Sequence, residues 1–162
     1  MAAVDYFLKI DGIDGESQKD KHTDEIELLS FSWGESNAGT FAYGGGGGAG
    51  KVSMSDFSFM KVMDKASPAL FLACANGEHI KTAKLSCRKA GKNQQDFLKI
   101  TLSDLIISSY QTGGSGGSDV VPTESISINF AKIEFEYAEQ KADGTLKGSS
   151  PLGFSLKQGK QT

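Results

Sequence analysis

A mainly β fold, either a closed barrel or a two-sheet sandwich, with one buried α-helix, is the class this sequence predicts. Three observations predict it. Stretches that are apolar at every second residue recur along the chain, glycine-rich turns separate them, and only Ser67-Pro68 to Gly77 carries the start and stop signals of a helix. The 162 residues are expected to form one domain, 1–162, large enough to bury a core without disulfides or a metal.

The first strand is expected where Val4, Tyr6, Leu8 and Ile10 alternate with Asp5, Lys9 and Asp11, with Phe7 as the one exception. A polar segment with Gly12 and Gly15 runs to Asp24. From Ile26 to Trp33 the alternation puts Leu29, Phe31 and Trp33 on the core side and Leu28, Ser30 and Ser32 on the other. A glycine arm comes next, Gly44, Gly45, Gly46, Gly47, Gly48, Ala49 and Gly50, ending at Lys51. Lys51 to Ser55 reads as a strand, and Phe57-Ser58-Phe59 continues in the opposite phase after a slip near Ser55-Asp56.

The helix is expected to start with Ser67 as N-cap and Pro68 in its first turn, and to stop at Gly77. Its run Ala69 to Ala75 is apolar nearly all round, which predicts extensive burial. Strands return at Ala83, Leu85 and Cys87 and at Leu98, Ile100 and Leu102, with Leu105 to Ile107 as strand or short turn. A second glycine loop, Gly113 to Gly117, leads to the longest strand. There Ile126, Ile128 and Phe130 share one phase and Ile133, Phe135 and Tyr137 the other, so a bulge or sharp coil is expected near Ala131-Lys132. Phe154-Ser155-Leu156 is the last strand.

Composition excludes several function classes. The net charge is −3 and Arg88 is the sole arginine, where a nucleic-acid binder shows an arginine- and lysine-rich face. No apolar run approaches a membrane span, and Asp5 and Lys9 interrupt the N-terminal apolar residues where a signal peptide needs a continuous run. Cys74 and Cys87 are expected to be free thiols.

No motif sustains catalysis or a cofactor. Gly45 to Lys51 spells G-x-x-x-x-G-K, the outline of a nucleotide-binding loop, but Val52 stands where a hydroxyl would hold Mg²⁺, and the next segment reads as a strand rather than a helix. Gly113-x-Ser115-x-Gly117 matches the nucleophile elbow in outline. Pro122 and a strand come next, however, and both histidines, His22 and His79, precede the serine, whereas that fold takes its base from a later histidine. Cys74, His79 and Cys87 lack a C-x-x-C pair and a fourth zinc ligand. His22, in an acidic segment, reads as a solvated surface histidine, with a carboxylate partner as the other reading.

Taken together, Gly15-Glu16-Ser17, His22, Glu25-Ile26, Ser32-Trp33-Gly34, Gly50-Lys51-Val52, Asp64 to Pro68, Arg88 to Gly91, Thr112 to Gly117, Asn129-Phe130-Ala131 and Gln140 to Gly144 form an ordered set over nearly the whole chain. In that order they resemble the haemolysin-coregulated protein (Hcp) family, the tube subunit of bacterial type VI secretion. The resemblance implies a non-enzymatic homo-hexameric ring whose copies stack into a tube, with a spike protein at its tip, a contractile sheath around it and effector proteins in its lumen. It further implies a cytoplasmic protein that is secreted without a cleavable signal, with no cofactor, nucleic acid or membrane insertion. The glycine arm would then reach a neighbouring ring. Ser30 and Ser32 would face either the lumen or a neighbouring subunit. Two alternatives stay open, a phage-like tail-tube subunit and a phosphate-binding enzyme using Gly45 to Lys51.

Overall fold

The computed structural model describes residues 4–39, 50–89, 94–117 and 120–162. Among the described residues eleven strands and one helix succeed one another as β1 (Val4–Ile10), β2 (Ile26–Leu28), β3 (Ser30–Ser32), β4 (Glu35–Asn37), β5 (Val52–Met54), β6 (Phe57–Val62), α1 (Ser67–Asn76), β7 (Ile80–Lys89), β8 (Asp96–Gly113), β9 (Thr123–Tyr137), β10 (Leu152–Ser155) and β11 (Lys160–Gln161). All described pairings are antiparallel. Nine strands form one sheet, β11-β10-β9-β8-β7-β1-β2, with β6 added to β9 and β3 to β6; β4 and β5 form a separate ribbon.

The sheet curls because β9 serves two partners, β6 along Thr123 to Ile128 and β10 along Lys132 to Phe135. Its two ends approach where the Leu29 N–H donates to the Met60 carbonyl at 2.8 Å, but no ladder closes between β2 and β6. Of the two architectures expected, the two-sheet sandwich is the one that fits.

The expected coil near Ala131 is a turn of both long strands together. Leu102 opposite Ile133 and Leu105 opposite Phe130 are all buried, although each pair of inward residues is three apart rather than two. Asp104 lies between them with φ of 54°, and this left-handed residue rotates the inward face of β8 without a slip in register. The register shift itself lies further on, between Ile107 and Ser109.

Leu29 corrects the expected phase of the Ile26–Trp33 stretch. It is 54% exposed, whereas Ile26 and Leu28 are buried. The reason is a change of partner: β2 pairs with β1, β3 pairs with β6, and the chain crosses between them at Leu29, which interrupts the alternation. Phe31 and Trp33 do pack against the core.

The helix departs from expectation at its start and on its outer face. Ala66 is the N-cap residue and supplies no side-chain bond; Ser67 is already helical, and the Asp64 carboxylate accepts the Ala66 N–H at 2.9 Å. Gly77 ends the helix at φ of 61°, as a C-terminal glycine should. Only Ser67, Leu70 and Ala73 are buried, because α1 lies on β8 by one face, and Phe71 and Leu72 stay 58% and 53% exposed.

His22 is not a surface histidine. It is buried, with Nδ1 3.0 Å from Glu25 Oε2 and Nε2 2.8 Å from Asp96 Oδ1, and it stacks on Phe7 at 4.4 Å. The Arg88 guanidinium lies 4.9 Å from the same Phe7 ring and donates to the Asp20 carbonyl. Phe7, the exception to the β1 alternation, is therefore buried on the far side of the sheet from Leu8, beneath the 11–25 segment. The sole arginine is spent in this second small core. Cys74 and Cys87 are free thiols, and burial, with Asp96 adding to it, pushes the Cys87 thiol up to about 12.

Candidate functional site

Alternation along β3, β6 and β9 sends large apolar residues inward and small polar ones outward, and the strand registers set the outward ones side by side. Ser32 pairs with Ser58, Ser58 with Ser127, and Ser127 with Ser109, giving a row of four serines across β3, β6, β9 and β8. Beside it runs the row Ser30, Met60, Ser125, Gln111. Neither row contains a charged side chain. Hydroxyls within the face bond to one another: Ser127 Oγ lies 2.6 Å from Ser109 Oγ and 2.7 Å from Ser108 Oγ, and Ser108 donates to Asp56 at 2.7 Å. Ser30 and Ser32 are both exposed here.

Sequence reasoning reached Ser30 and Ser32 but missed Ser58, Ser109, Gln111, Ser125 and Ser127. Their signal was present in Phe57-Ser58-Phe59 and Ser125-Ile126-Ser127-Ile128, where the apolar partner of each alternation attracts attention. Which strands lie adjacent is what turns scattered serines into a face, and pairings between residues 58 and 127 are not local.

The inward side of the same strands holds a buried polar cluster. Lys61 and Glu124 point into the core and are fully buried, with Lys61 Nζ 2.7 Å from both Glu124 Oε2 and Asp64 Oδ1. Ser67 donates to Glu124 Oε2 at 2.9 Å and accepts from Lys61 Nζ at 2.9 Å, which is the role its hydroxyl plays in place of capping α1. Tyr110 donates to Glu124 Oε1. Burial alone would raise the Glu124 carboxyl, yet the bonds from Lys61, Tyr110 and Ser67 outweigh it and hold the group below its ordinary range. Burial, and then the bond to Glu124, push the Tyr110 hydroxyl up to about 12. The cluster ties β6, β8, β9 and the start of α1 together behind the serine face.

At one end of the β3–β6 ladder the chain leaves the sheet as the β4–β5 ribbon, with Glu35 opposite Met54 and Asn37 opposite Val52. Ser55 and Gly34 lock its root through three hydrogen bonds of 2.9 to 3.1 Å. At the last described residues before the arm, Asn37 Nδ2 donates to the Gly50 carbonyl at 2.7 Å, and a Cβ on Gly50 would lie 2.1 Å from the Ala38 oxygen, so only glycine fits. Of the arm, Gly44, Gly45, Gly46, Gly47, Gly48 and Ala49 lie outside the described residues. Lys51 leads directly into strand β5, so the lysine does not sit at the start of a helix as a nucleotide-binding loop requires.

The other candidates are not brought together. Ser115 lies in the β8–β9 loop, while His22 is held by Glu25 and Asp96, and exposed His79 lies 3.4 Å from Asp104. Among the described residues no His, Cys, Asp and Glu side chains are grouped to hold a metal ion, and no helix is long and apolar enough to cross a membrane.

Comparison with known proteins places this geometry. The family model "Type VI secretion system effector, Hcp" matches residues 7–137. A curated relative, protein hcp1 of Pseudomonas aeruginosa, is 47% identical over 161 residues, covering 98% of this chain and 99% of the relative. Among solved structures, one described as a type six secretion system protein aligns with a TM-score of 0.92 at 36% identity, over 99% of this chain and 100% of that one. Hcp1 from Salmonella typhimurium aligns with a TM-score of 0.79 at 37% identity, over 100% of both chains.

Proposed function

This chain belongs to the Hcp family of type VI secretion proteins, and from that premise we propose that it acts without catalysis, as a tube subunit. Six copies close into a ring, rings stack into a hollow tube, and the tube carries effector proteins outward behind a spike, driven by a sheath. The observation that carries this reading is the double row of small uncharged side chains across β3, β6, β9 and β8. The two rows of serines, a glutamine and a methionine carry no charge of their own, Asp56 lying beside them bonded to Ser108 and Asn129, and such rows suit a wall that must hold varied cargo loosely and let it go. A phage-like tail tube is not favoured by these relatives. The protein waits in the cytoplasm and is secreted on firing.

Ring assembly is tested by native mass in solution. A mass of six chains is expected at micromolar concentration, and a monomer throughout that range would overturn the reading. The wall is tested by Ser32→Gln. If Ser32 faces the lumen, the variant adds a belt of longer side chains around it, and intact rings that lose a subset of effectors are expected. Broken rings, with residual hexamers binding cargo normally, would place Ser32 against a neighbouring subunit instead.

A further inference from the structure

A single carboxylate is set into the serine face. Beyond the Ser58–Ser127 pair the next outward residue of β9 is Asn129, opposite Ile106 of β8, and both are exposed. Asp56, half-buried at the entry to β6, lies against them. Its Oδ1 accepts from Asn129 Nδ2 at 2.9 Å and its Oδ2 from Ser108 Oγ at 2.7 Å. Ser108 is in turn bonded to Ser127, which joins the carboxylate to the serine row.

In the other direction, past Met60 and Ser125, the face continues as Val62, Thr123 and Gly113, and the charged residues that alternate with them, Lys61 and Glu124, are buried on the inward side. Asp56 is therefore the one charged side chain among the described residues of these rows. It makes no ion pair among the described residues. Two uncharged donors, one from β8 and one from β9, hold the carboxylate in place without neutralising it. Each oxygen accepts one hydrogen bond here and keeps a lone pair for another.

We infer that Asp56 selects the cargo of this face, by accepting an arginine from the surface of an effector protein. A guanidinium is a planar fork that bonds both carboxylate oxygens at once, and it gives up its water more readily than an ammonium, which meets the same group only as a point charge. Because Asp56 is already fixed by Ser108 and Asn129, little side-chain freedom is lost when the arginine arrives. The serines around it impose no charge requirement of their own. An acidic cargo surface would meet a like charge with no cation beside it, so the preference runs toward basic cargo. In a ring of identical subunits the carboxylate recurs at every subunit, and a cargo with several arginines engages several weak contacts together. The inference rests on the cargo-holding wall proposed above and names the chemistry that the wall prefers.

Peptide binding to the purified protein tests it. The probes are the fluorescein-labelled peptide Gly-Arg-Ser-Gly-Arg-Ser and its counterparts with lysine, glutamine or glutamate in place of arginine, titrated at low salt. The arginine peptide is expected to bind about tenfold tighter than the glutamine peptide, with the lysine peptide between them and the glutamate peptide weakest. Asp56→Asn keeps an acceptor for Ser108 and removes the charge, so it should erase the arginine preference while the native mass and melting temperature stay as in the wild type. Glu78→Gln removes an exposed carboxylate just beyond α1 and should leave the preference intact, which separates the site from net charge. A benzophenone on the arginine peptide should crosslink to β6, β8 or β9.

An arginine preference that survives Asp56→Asn, or crosslinks that avoid those strands, overturns the inference. Rings that form in the wild type and break in Asp56→Asn overturn it too, since the carboxylate then serves the assembly and not the cargo. Wild-type rings with no arginine preference remove the role of Asp56 and leave the tube reading standing. Wild-type protein that stays monomeric removes the tube reading, and the same titration on the monomer still decides whether Asp56 takes arginine.

Discussion

Lys61→Ala is expected to destabilise the fold by about 3–5 kcal/mol, because it leaves the Glu124 carboxylate buried with no cation beside it. Chemical denaturation at neutral pH measures this. Glu124→Gln should cost less, since the amide oxygen can still accept from Tyr110 or Ser67. Replacing both partners, Lys61→Met with Glu124→Leu, should recover much of the loss, because removing a buried pair together spares the charge left behind. A double variant as unstable as Lys61→Ala would show that the pair's geometry, and not the orphaned charge, sets the cost. The signs of the shifts fix the pH dependence. The Glu124 carboxyl is held below its ordinary 4.5 in the folded state, so its contribution is present above that value and is lost as pH falls through the lower folded value. Tyr110 is raised from 10.0 to about 12, so its contribution is present below 10.0 and is lost as pH rises through about 12. The deficit of Lys61→Ala should therefore shrink in acid, where Glu124 protonates in the variant.

Deleting Gly44 to Gly48 is expected to abolish tube growth and secretion while leaving the ring and its melting temperature nearly unchanged. Glycine adds almost no buried apolar surface, so the fold loses little, whereas on the proposed stacking role a shorter arm would no longer reach a neighbouring ring. The described roots of the arm support this separation: Gly34 and Ser55 close the ribbon at its base through their own hydrogen bonds, independent of what lies beyond Gly50. Electron micrographs of the purified variant and a secretion assay check it. A deletion that unfolds the chain, or one that still builds working tubes, would remove the arm from stacking.

Much of the fold was legible because strands announce themselves locally. The alternations at Val4 to Ile10, Ala83 to Cys87 and Leu98 to Leu102 became strands, and Gly77 ended the helix, since period and backbone freedom are properties of neighbours in the chain. The misses share the opposite cause. Leu29 was assigned inward because an unbroken alternation was assumed, and nothing local signals that β2 and β3 pair with different strands. Ser67 looked like a cap, and it is instead claimed by Lys61 and Glu124, the latter 57 residues away. His22 looked solvated in a polar stretch, and only the packing of that stretch over Phe7 buries it.

By itself the sequence determined the class of the protein: period-two apolar patterning and one capped apolar helix specify a β fold, and the ordered set of short motifs from Gly15 to Gly144 specifies the family. Both are carried by residues close together or in fixed order. The tertiary structure decided which face is which. It left Phe71 and Leu72 outside, enclosed Lys61 with Glu124, and aligned Ser32, Ser58, Ser127 and Ser109 in one row. Each of these depends on strand pairings between distant residues, and a side chain's burial is fixed by what the rest of the chain brings against it.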